Sequence, residues 1–290
     1  MILVTGATGN YGKSVIKFLL NKGVSPSNIS ALVRSEEKSA DLKEKGIKLK
    51  VGDYSDYDSL LLAFEGIDKL LFVSGSDIMA RTAQHKNIVK AAQSAKVKHI
   101  IYTSFIRNIN VENSAIAYLQ HAHLKTENWI KLSGINYTIL QNAPYLENIT
   151  LFLGKNVIDT GVISLPAKAG KSSAVLREEL AEAAAQILTT GGHENKVYPL
   201  TNTDPYSFKE VADILSLITG NDIMYNSPNA DNYRKTLEEF GVPKEYINLL
   251  TTFSVAQAEG DLELYNNNLK IILGRKPQTV KEYLEKVYLK

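Results

Sequence analysis

The sequence predicts an α/β protein, a doubly wound parallel sheet followed by a smaller, mostly helical lobe. Short apolar runs alternate with amphipathic segments through the first half of the chain, the pattern of strands buried on both faces and joined by helices. The first run, Ile2 to Val4, breaks into a turn with glycines at Gly6, Gly9 and Gly12, and an apolar-periodic segment follows at once. After about Asn148 the rhythm changes to longer helical patterns and short strands.

Taken in order, Ile29 to Val33 reads as the second strand, Lys38 to Lys45 as a short helix, and Ile47 to Val51 as the third strand. Ser55 with Asp58 predicts a capping box whose helix runs through Leu60, Leu61 and Phe64 to a stop at Gly66. Leu70 to Val73 is the fourth strand, Ile88 to Ala95 lies on the next helix, and His99 to Thr103 is the fifth strand. A helix around Leu119 to Leu132 leads to the sixth, Tyr137 to Leu140. Right-handed crossovers make such a sheet doubly wound. Beyond it, Gly161 to Leu165 and Val197 to Leu200 read as strands and Arg177 to Leu188 as a helix. Ser207 with Glu210 and Thr279 with Glu282 are capping boxes, and residues 230–270 read as helical with a break at Gly241-Val242-Pro243. The expected division is residues 1–148 for a dinucleotide-binding domain and 149–290 for a substrate lobe over the C-terminal strand ends. The boundary is soft, because some later segments are candidates to rejoin the sheet.

Composition excludes several function classes. A chain of 290 residues suits one large or two modest domains. Its formal charge of +2, without a long like-charged run, gives no electrostatic case for nucleic acid. With no cysteine there are no disulfides, thiolate metal sites or cysteine nucleophiles. A strand starting at residue 2 predicts no cleavable targeting peptide, and no apolar run approaches the ~18 residues of a membrane span. The expectation is a soluble, cytoplasmic monomer or homodimer.

The glycine turn carries the first chemistry. A strand, a turn with Gly6, Thr8, Gly9, Asn10, Tyr11 and Gly12, and a helix together form an anion cradle. Gly6 allows the turn, Gly9 lets backbone approach a pyrophosphate, and Gly12 lets the helix close on the strand. The helix end then offers unpaired N–H groups and positive dipole to phosphate. Ala7 to Ser14 also nearly spells a nucleotide-triphosphate loop, with Lys13 and Ser14 in the key places. That reading needs an acid ending another core strand, and Val73-Ser74-Gly75 and Tyr102-Thr103-Ser104 supply none.

At the end of the second strand Arg34, with Lys38 one turn on, suits a 2′-phosphate where an acid would hold a free hydroxyl. NADP is therefore expected in preference to NAD. Gly52-Asp53-Tyr54 closes the third strand near the adenine edge, where Asp53 is either an acceptor for the adenine amino group or a turn residue. Ser74, Gly75 and Ser76 form a small-residue turn against the cofactor. Thr103, Ser104 and Phe105 end the fifth strand, where nicotinamide and substrate should meet. Five histidines invite a metal reading, but His121 and His123 face different sides of a helix and no His-Glu-x-x-His arrangement occurs, so no metal is expected.

Together these residues resemble the NmrA-like atypical short-chain dehydrogenases, especially the type 2 NAD(P)H:quinone oxidoreductases and the triphenylmethane-dye reductases. The resemblance runs nearly end to end, through Thr5-Gly6-Ala7-Thr8-Gly9, Val33-Arg34, Gly52-Asp53-Tyr54, Arg81 with Gln84-His85, and Tyr102-Thr103-Ser104. It continues in His123 with Thr126-Glu127, Tyr145 with Glu147-Asn148, and Gly274-Arg275. It implies a Rossmann sheet, an NADP cofactor and no flavin, with Asn142, Ala143 and Pro144 bordering the nicotinamide. His123 is either a cofactor-side polar residue or a satisfied helix histidine, and His85 is likewise pocket or structure. The chain departs from classical members in lacking the Tyr-x-x-x-Lys pair that protonates a substrate oxygen. Counting back from Glu127, the lysine position holds His123 and the tyrosine position Leu119, while Tyr118 lies roughly 100° round the helix. Gln141 also stands where relatives often have arginine.

The missing pair suits a quinone, whose anion after hydride addition is delocalised and can be protonated by water. The expected function is hydride transfer from NADPH to a quinone or similar conjugated acceptor. Phe105, Tyr145 and Asn148 form the expected substrate pocket, and no catalytic residue is certain beyond the candidates Tyr145 and His123. The alternative is an NADP-sensing regulator that turns nothing over.

Overall fold

The computed structural model describes residues 1–108 and 110–289, with Lys38 lacking a described side chain. The first eleven elements are β1 (Ile2–Val4), α1 (Asn10–Asn21), β2 (Ile29–Val33), α2 (Ala40–Glu44), β3 (Lys48–Val51), α3 (Tyr57–Phe64), β4 (Lys69–Phe72), α4 (Arg81–Ser94), β5 (His99–Phe105), α5 (Ala117–Leu132) and β6 (Asn136–Asn142). Then come α6 (Ile149–Leu153), α7 (Val157–Thr160), β7 (Val162–Ser164), β8 (Lys171–Ser172), α8 (Arg177–Thr189), β9 (Lys196–Leu200) and β10 (Tyr206–Ser207). The chain closes with α9 (Phe208–Thr219), β11 (Met224–Asn226), α10 (Ala230–Glu239), α11 (Lys244–Ala258), α12 (Asn268–Leu273) and α13 (Val280–Tyr288).

Seven parallel strands form one sheet in the order β3-β2-β1-β4-β5-β6-β9. The order reverses between β1 and β4, and open α/β sheets bind ligands at the strand ends beside such a reversal. Successive side chains alternate across the sheet, so Val4 and Leu71 pack under α1 and α8 while Leu3 and Leu70 pack under α3, α4 and α5. Both faces must be apolar, which is why these strands read as unbroken hydrophobic runs.

The lobe is assembled from separate stretches. Leu146, Ile149, Val157 and Ile163 share a core with Phe208, Val211, Leu215, Leu250 and Leu284. Between them α8 and β9 return to the large sheet, with β9 paired to β6 from Thr138↔Lys196 to Asn142↔Leu200.

Both late capping boxes are present, at Ser207/Glu210 and Thr279/Glu282. The earlier one is displaced by a residue: Asp56, not Ser55, caps α3 by accepting from the N–H groups of Asp58 and Ser59 at 3.1 and 3.2 Å. A carboxylate offers two strong acceptors at the positive helix end and outcompetes the neighbouring hydroxyl. Helix α4, which carries Ile88, begins seven residues earlier, at Arg81. Its first turns turn Arg81 and His85 inward, so apolar periodicity does not reveal them.

Candidate active site

Gly6 turns the chain off β1 with φ +58°, a left-handed conformation that favours glycine. Gly9 is the N-cap of α1, whose first internal bond runs from Lys13 N–H to Gly9 O at 2.9 Å. The N–H groups of Asn10, Tyr11 and Gly12 therefore belong to the open helix end. A Cβ on Gly12 would stand 2.3 Å from Gly6 O, so the close approach of helix and turn requires glycine there. A Cβ on Gly9 would meet only Gly6 O, at 3.3 Å, and otherwise points into open space. Thr8 and Asn10 are exposed beside it. Tyr11 contributes backbone only: its ring is buried and its hydroxyl donates to Leu180 O at 3.2 Å, tying α1 to α8.

Arg34 is exposed just beyond β2, and the side chain of Lys38 lies outside the described residues. Asp53 Oδ1 accepts from Ser55 N–H at 2.8 Å in the turn after β3. The Tyr54 hydroxyl lies 2.6 Å from Thr5 Oγ1 and 2.8 Å from Val73 O, fastening the ends of β1, β3 and β4 beneath the crevice. After β4, Ser74 N–H donates to Thr103 Oγ1 at 2.9 Å and Gly75 N–H to His85 Nε2 at 3.0 Å, while Ser76 is exposed.

That last bond fixes a tautomer. A backbone N–H can only donate, so His85 Nε2 is bare and its proton sits on Nδ1, 2.8 Å from Thr126 Oγ1. Burial, helped by the charge of Arg81, holds the His85 pKa down at about 3. His123 is also buried, with Nε2 3.5 Å from Arg81 Nη1 and Nδ1 2.7 Å from the Tyr102 hydroxyl. Burial and the nearby Arg81 push its pKa well below the ordinary value. As a neutral ring whose Nδ1 proton faces Tyr102, His123 orients its neighbours and carries no imidazolium proton for an acceptor. It stacks on Phe105, with ring centres 6.3 Å apart.

Ser104 donates to Glu127, a buried carboxylate that also takes Arg107 Nη2 at 2.8 and 2.7 Å. Gln141 reaches the same carboxylate at 3.4 and 3.5 Å. Serine, glutamate, arginine and glutamine thus lock β5, α5 and β6 together. At the end of β6, Asn142 is buried with Oδ1 unpartnered among the described residues, and Ala143 N–H is taken by Leu200 O at 3.0 Å. Pro144 O accepts from Val175 N–H at 3.0 Å.

Tyr145 and Asn148 line a cavity of about 60 Å³ with Pro144, Phe152, Tyr206 and Phe253. Phe253 meets Phe105 edge-on at 6.3 Å, so Phe105 adjoins the same aromatic group. The Arg177 guanidinium sits 4.4 Å over the Tyr145 ring, a cation–π contact, and burial raises the Tyr145 pKa. A larger cavity of about 570 Å³ lies elsewhere, lined by Glu178, Glu179, Glu182 and Glu282 together with Arg275. Its carboxylates would repel phosphate, and none of the expected cofactor residues lines it. Among the described residues no group of three or more His, Asp or Glu is placed to hold a metal ion.

The residues present fit a dinucleotide. An open helix end, the free space at Gly9, exposed Arg34 and the orphaned Asn142 Oδ1 all lie at C-terminal strand ends or the turns that follow them. Arg107 and Arg177 have no signature in the sequence, since one arginine in a loop and one opening a helix match no motif. Only the fold brings them to Glu127 and Tyr145.

Known proteins share this fold. Quinone oxidoreductase 2 of Escherichia coli is 33% identical over 288 residues, covering 99% of each chain. The crystal structure of the E. coli NADPH-dependent quinone oxidoreductase with NADPH superposes with a TM-score of 0.92 at 33% identity, over 99% of this chain and 100% of that one. The Citrobacter sp. triphenylmethane reductase complexed with NADP(H) does so with a TM-score of 0.90 at 37% identity, over 99% of both. The NmrA-like family profile matches residues 1–284, and the chain belongs to that family.

Proposed function

We propose that this chain is an NADPH-dependent oxidoreductase that reduces quinones or similar conjugated acceptors by direct hydride transfer, without flavin. The observation that carries this is an aromatic cavity at the dinucleotide edge of the sheet beside a helix that lacks the Tyr-x-x-x-Lys pair. Leu119 occupies the tyrosine position and is buried, His123 occupies the lysine position as a neutral ring, and Tyr118 is 44% exposed. A simple ketone needs a proton as the hydride arrives, whereas a conjugated acceptor spreads the charge and takes its proton from water.

The bound dinucleotide would supply the hydride. The protein holds it through the open end of α1, Arg34 and the turn at Ser74 to Ser76, and orients the acceptor between Phe105, Tyr145 and Asn148. Catalysis on this reading is mostly proximity and orientation. Names of similar proteins, quinone oxidoreductase and triphenylmethane reductase, support the acceptor class.

The test is turnover of purified, flavin-free protein with NADPH deuterated at the transferred position. Quinones should be reduced, and more slowly with the deuterated cofactor than with the unlabelled one, while aliphatic ketones should be poor substrates. If no quinone or dye is reduced, NADP sensing becomes the better account.

A further inference from the structure

Arg81 is the first residue of α4 and only 6% exposed. Three effects oppose a cation there. Burial strips its hydration, the helix end it occupies is the positive one, and among the described residues no carboxylate pairs with it. Its Nε donates to Gly75 O at 2.7 Å, and Nη1 points to His123 Nε2 at 3.5 Å. Its electrostatic neighbours are the phenols of Tyr102 and Tyr118, then the exposed carboxylate of Asp77, which makes no ion pair with it, and then Tyr145. Arg107, on the same strand-end region, shows the usual arrangement, bound to both oxygens of Glu127. A guanidinium stays charged under all ordinary conditions, and buried charges in folded proteins are paired. Arg81 adjoins the aromatic site through His123, which stacks on Phe105, and an anion arising there would complete its pairing.

We propose that Arg81 is a catalytic residue, the counter-charge for the oxyanion formed when the acceptor is reduced. This rests on the acceptor-reductase reading above. The acceptor gains a hydride, that is, one proton and two electrons from the reduced dinucleotide. The C–H bond of the reduced nicotinamide would break, leaving oxidised NADP, as a bond forms between that hydrogen and the acceptor; the acceptor's π pair would move onto a carbonyl oxygen, the charge proposed to face Arg81. Water then supplies the second proton. The chain thus replaces a proton donor with a fixed positive charge, which suits acceptors whose reduced anions persist.

Equilibrium binding tests this without turnover. With oxidised NADP present, 2-hydroxy-1,4-naphthoquinone as its anion and neutral 2-methoxy-1,4-naphthoquinone are titrated into the wild type, Arg81→Gln and Arg81→Lys. The wild type should favour the anion by about tenfold or more, the scale of one charge-assisted hydrogen bond. Arg81→Gln should lose that preference while its affinities for the neutral ligand and for NADP stay within about twofold, and Arg81→Lys should restore part of it. The proposal is overturned if the wild type shows no preference, if both ligands and NADP weaken together, or if only NADP weakens. The first outcome and the Arg81→Lys arm stand even if Arg81→Gln does not fold. Quinone turnover failing while anion preference holds would count against the reaction and not against the charge site.

Discussion

At Gly12 an added methyl would stand 2.3 Å from Gly6 O and 2.8 Å from Ala7 Cα, both backbone atoms that cannot swing aside. At Gly9 the same methyl meets one oxygen at 3.3 Å. Gly12→Ala should therefore lower the stability of the cofactor-free protein by about 1–3 kcal/mol, the usual cost of overpacking, read as a drop in the urea midpoint. Gly9→Val should unfold close to the wild-type temperature yet bind no NADPH, because its branched side chain fills the space a pyrophosphate needs. Retained binding in Gly9→Val would remove the helix end from the site. On the proposed reading, cofactor choice is set a strand away. Exposed Arg34 has the charge and reach for a 2′-phosphate, a contact worth about 1.5–3 kcal/mol. Arg34→Asp should reduce the NADPH-over-NADH preference by roughly tenfold to a hundredfold, and parallel titrations of the two cofactors would show an unchanged ratio if another residue selects.

Helix α5 meets β5 and β6 through Glu127, and the hold is ionic as well as apolar. Glu127 is 2% exposed at its side chain, Arg107 15%. Breaking a buried pair leaves the other charge stranded, so Glu127→Ala should cost about 3 kcal/mol or more, measured as a shift in the denaturation midpoint. A surface-like loss of a few tenths would show that solvent reaches Arg107. The sheet, the glycine turn and the run of α5 are legible in the sequence because apolar periodicity and glycine spacing are local signals. Helix α4 is half-hidden, since inward-facing Arg81 and His85 break its apolar stripe. The Arg107–Glu127 pair is hidden altogether, because its members are 20 residues apart and meet only when β5 and α5 pack. Asp53, open to two readings in the sequence, accepts a turn bond from Ser55 N–H at Oδ1, which is compatible with both. Nothing in the sequence orders the return of α8 and β9 to the large sheet, because their apolar patterns would serve either core.

Folding the whole chain requires two imidazoles to be buried neutral beside a guanidinium, and that sets an acid limit on stability. His85 titrates near 6.5 when unfolded and is lowered to about 3 in the fold, by burial first and Arg81 second. His123 is lowered by burial, then by Arg81, His85 and Arg107. For a group lowered on folding, the unfolded chain binds more protons below pH 6.5, so stability is fully present above that value and falls with pH until the folded form protonates. His85 removes about 1.4 kcal/mol per pH unit in that window, or about 2 kcal/mol by pH 5, and His123 acts in the same direction. Urea midpoints at pH 7.5 and pH 5, still above the ordinary carboxylate range, should differ accordingly. Burial is the larger cause at both rings, so Arg81→Lys and Arg81→Gln alike should keep most of the slope. Equal midpoints at the two pH values would mean that the unfolded chain gains no protons over the folded one, and the neutral-histidine account of this site would fall with it.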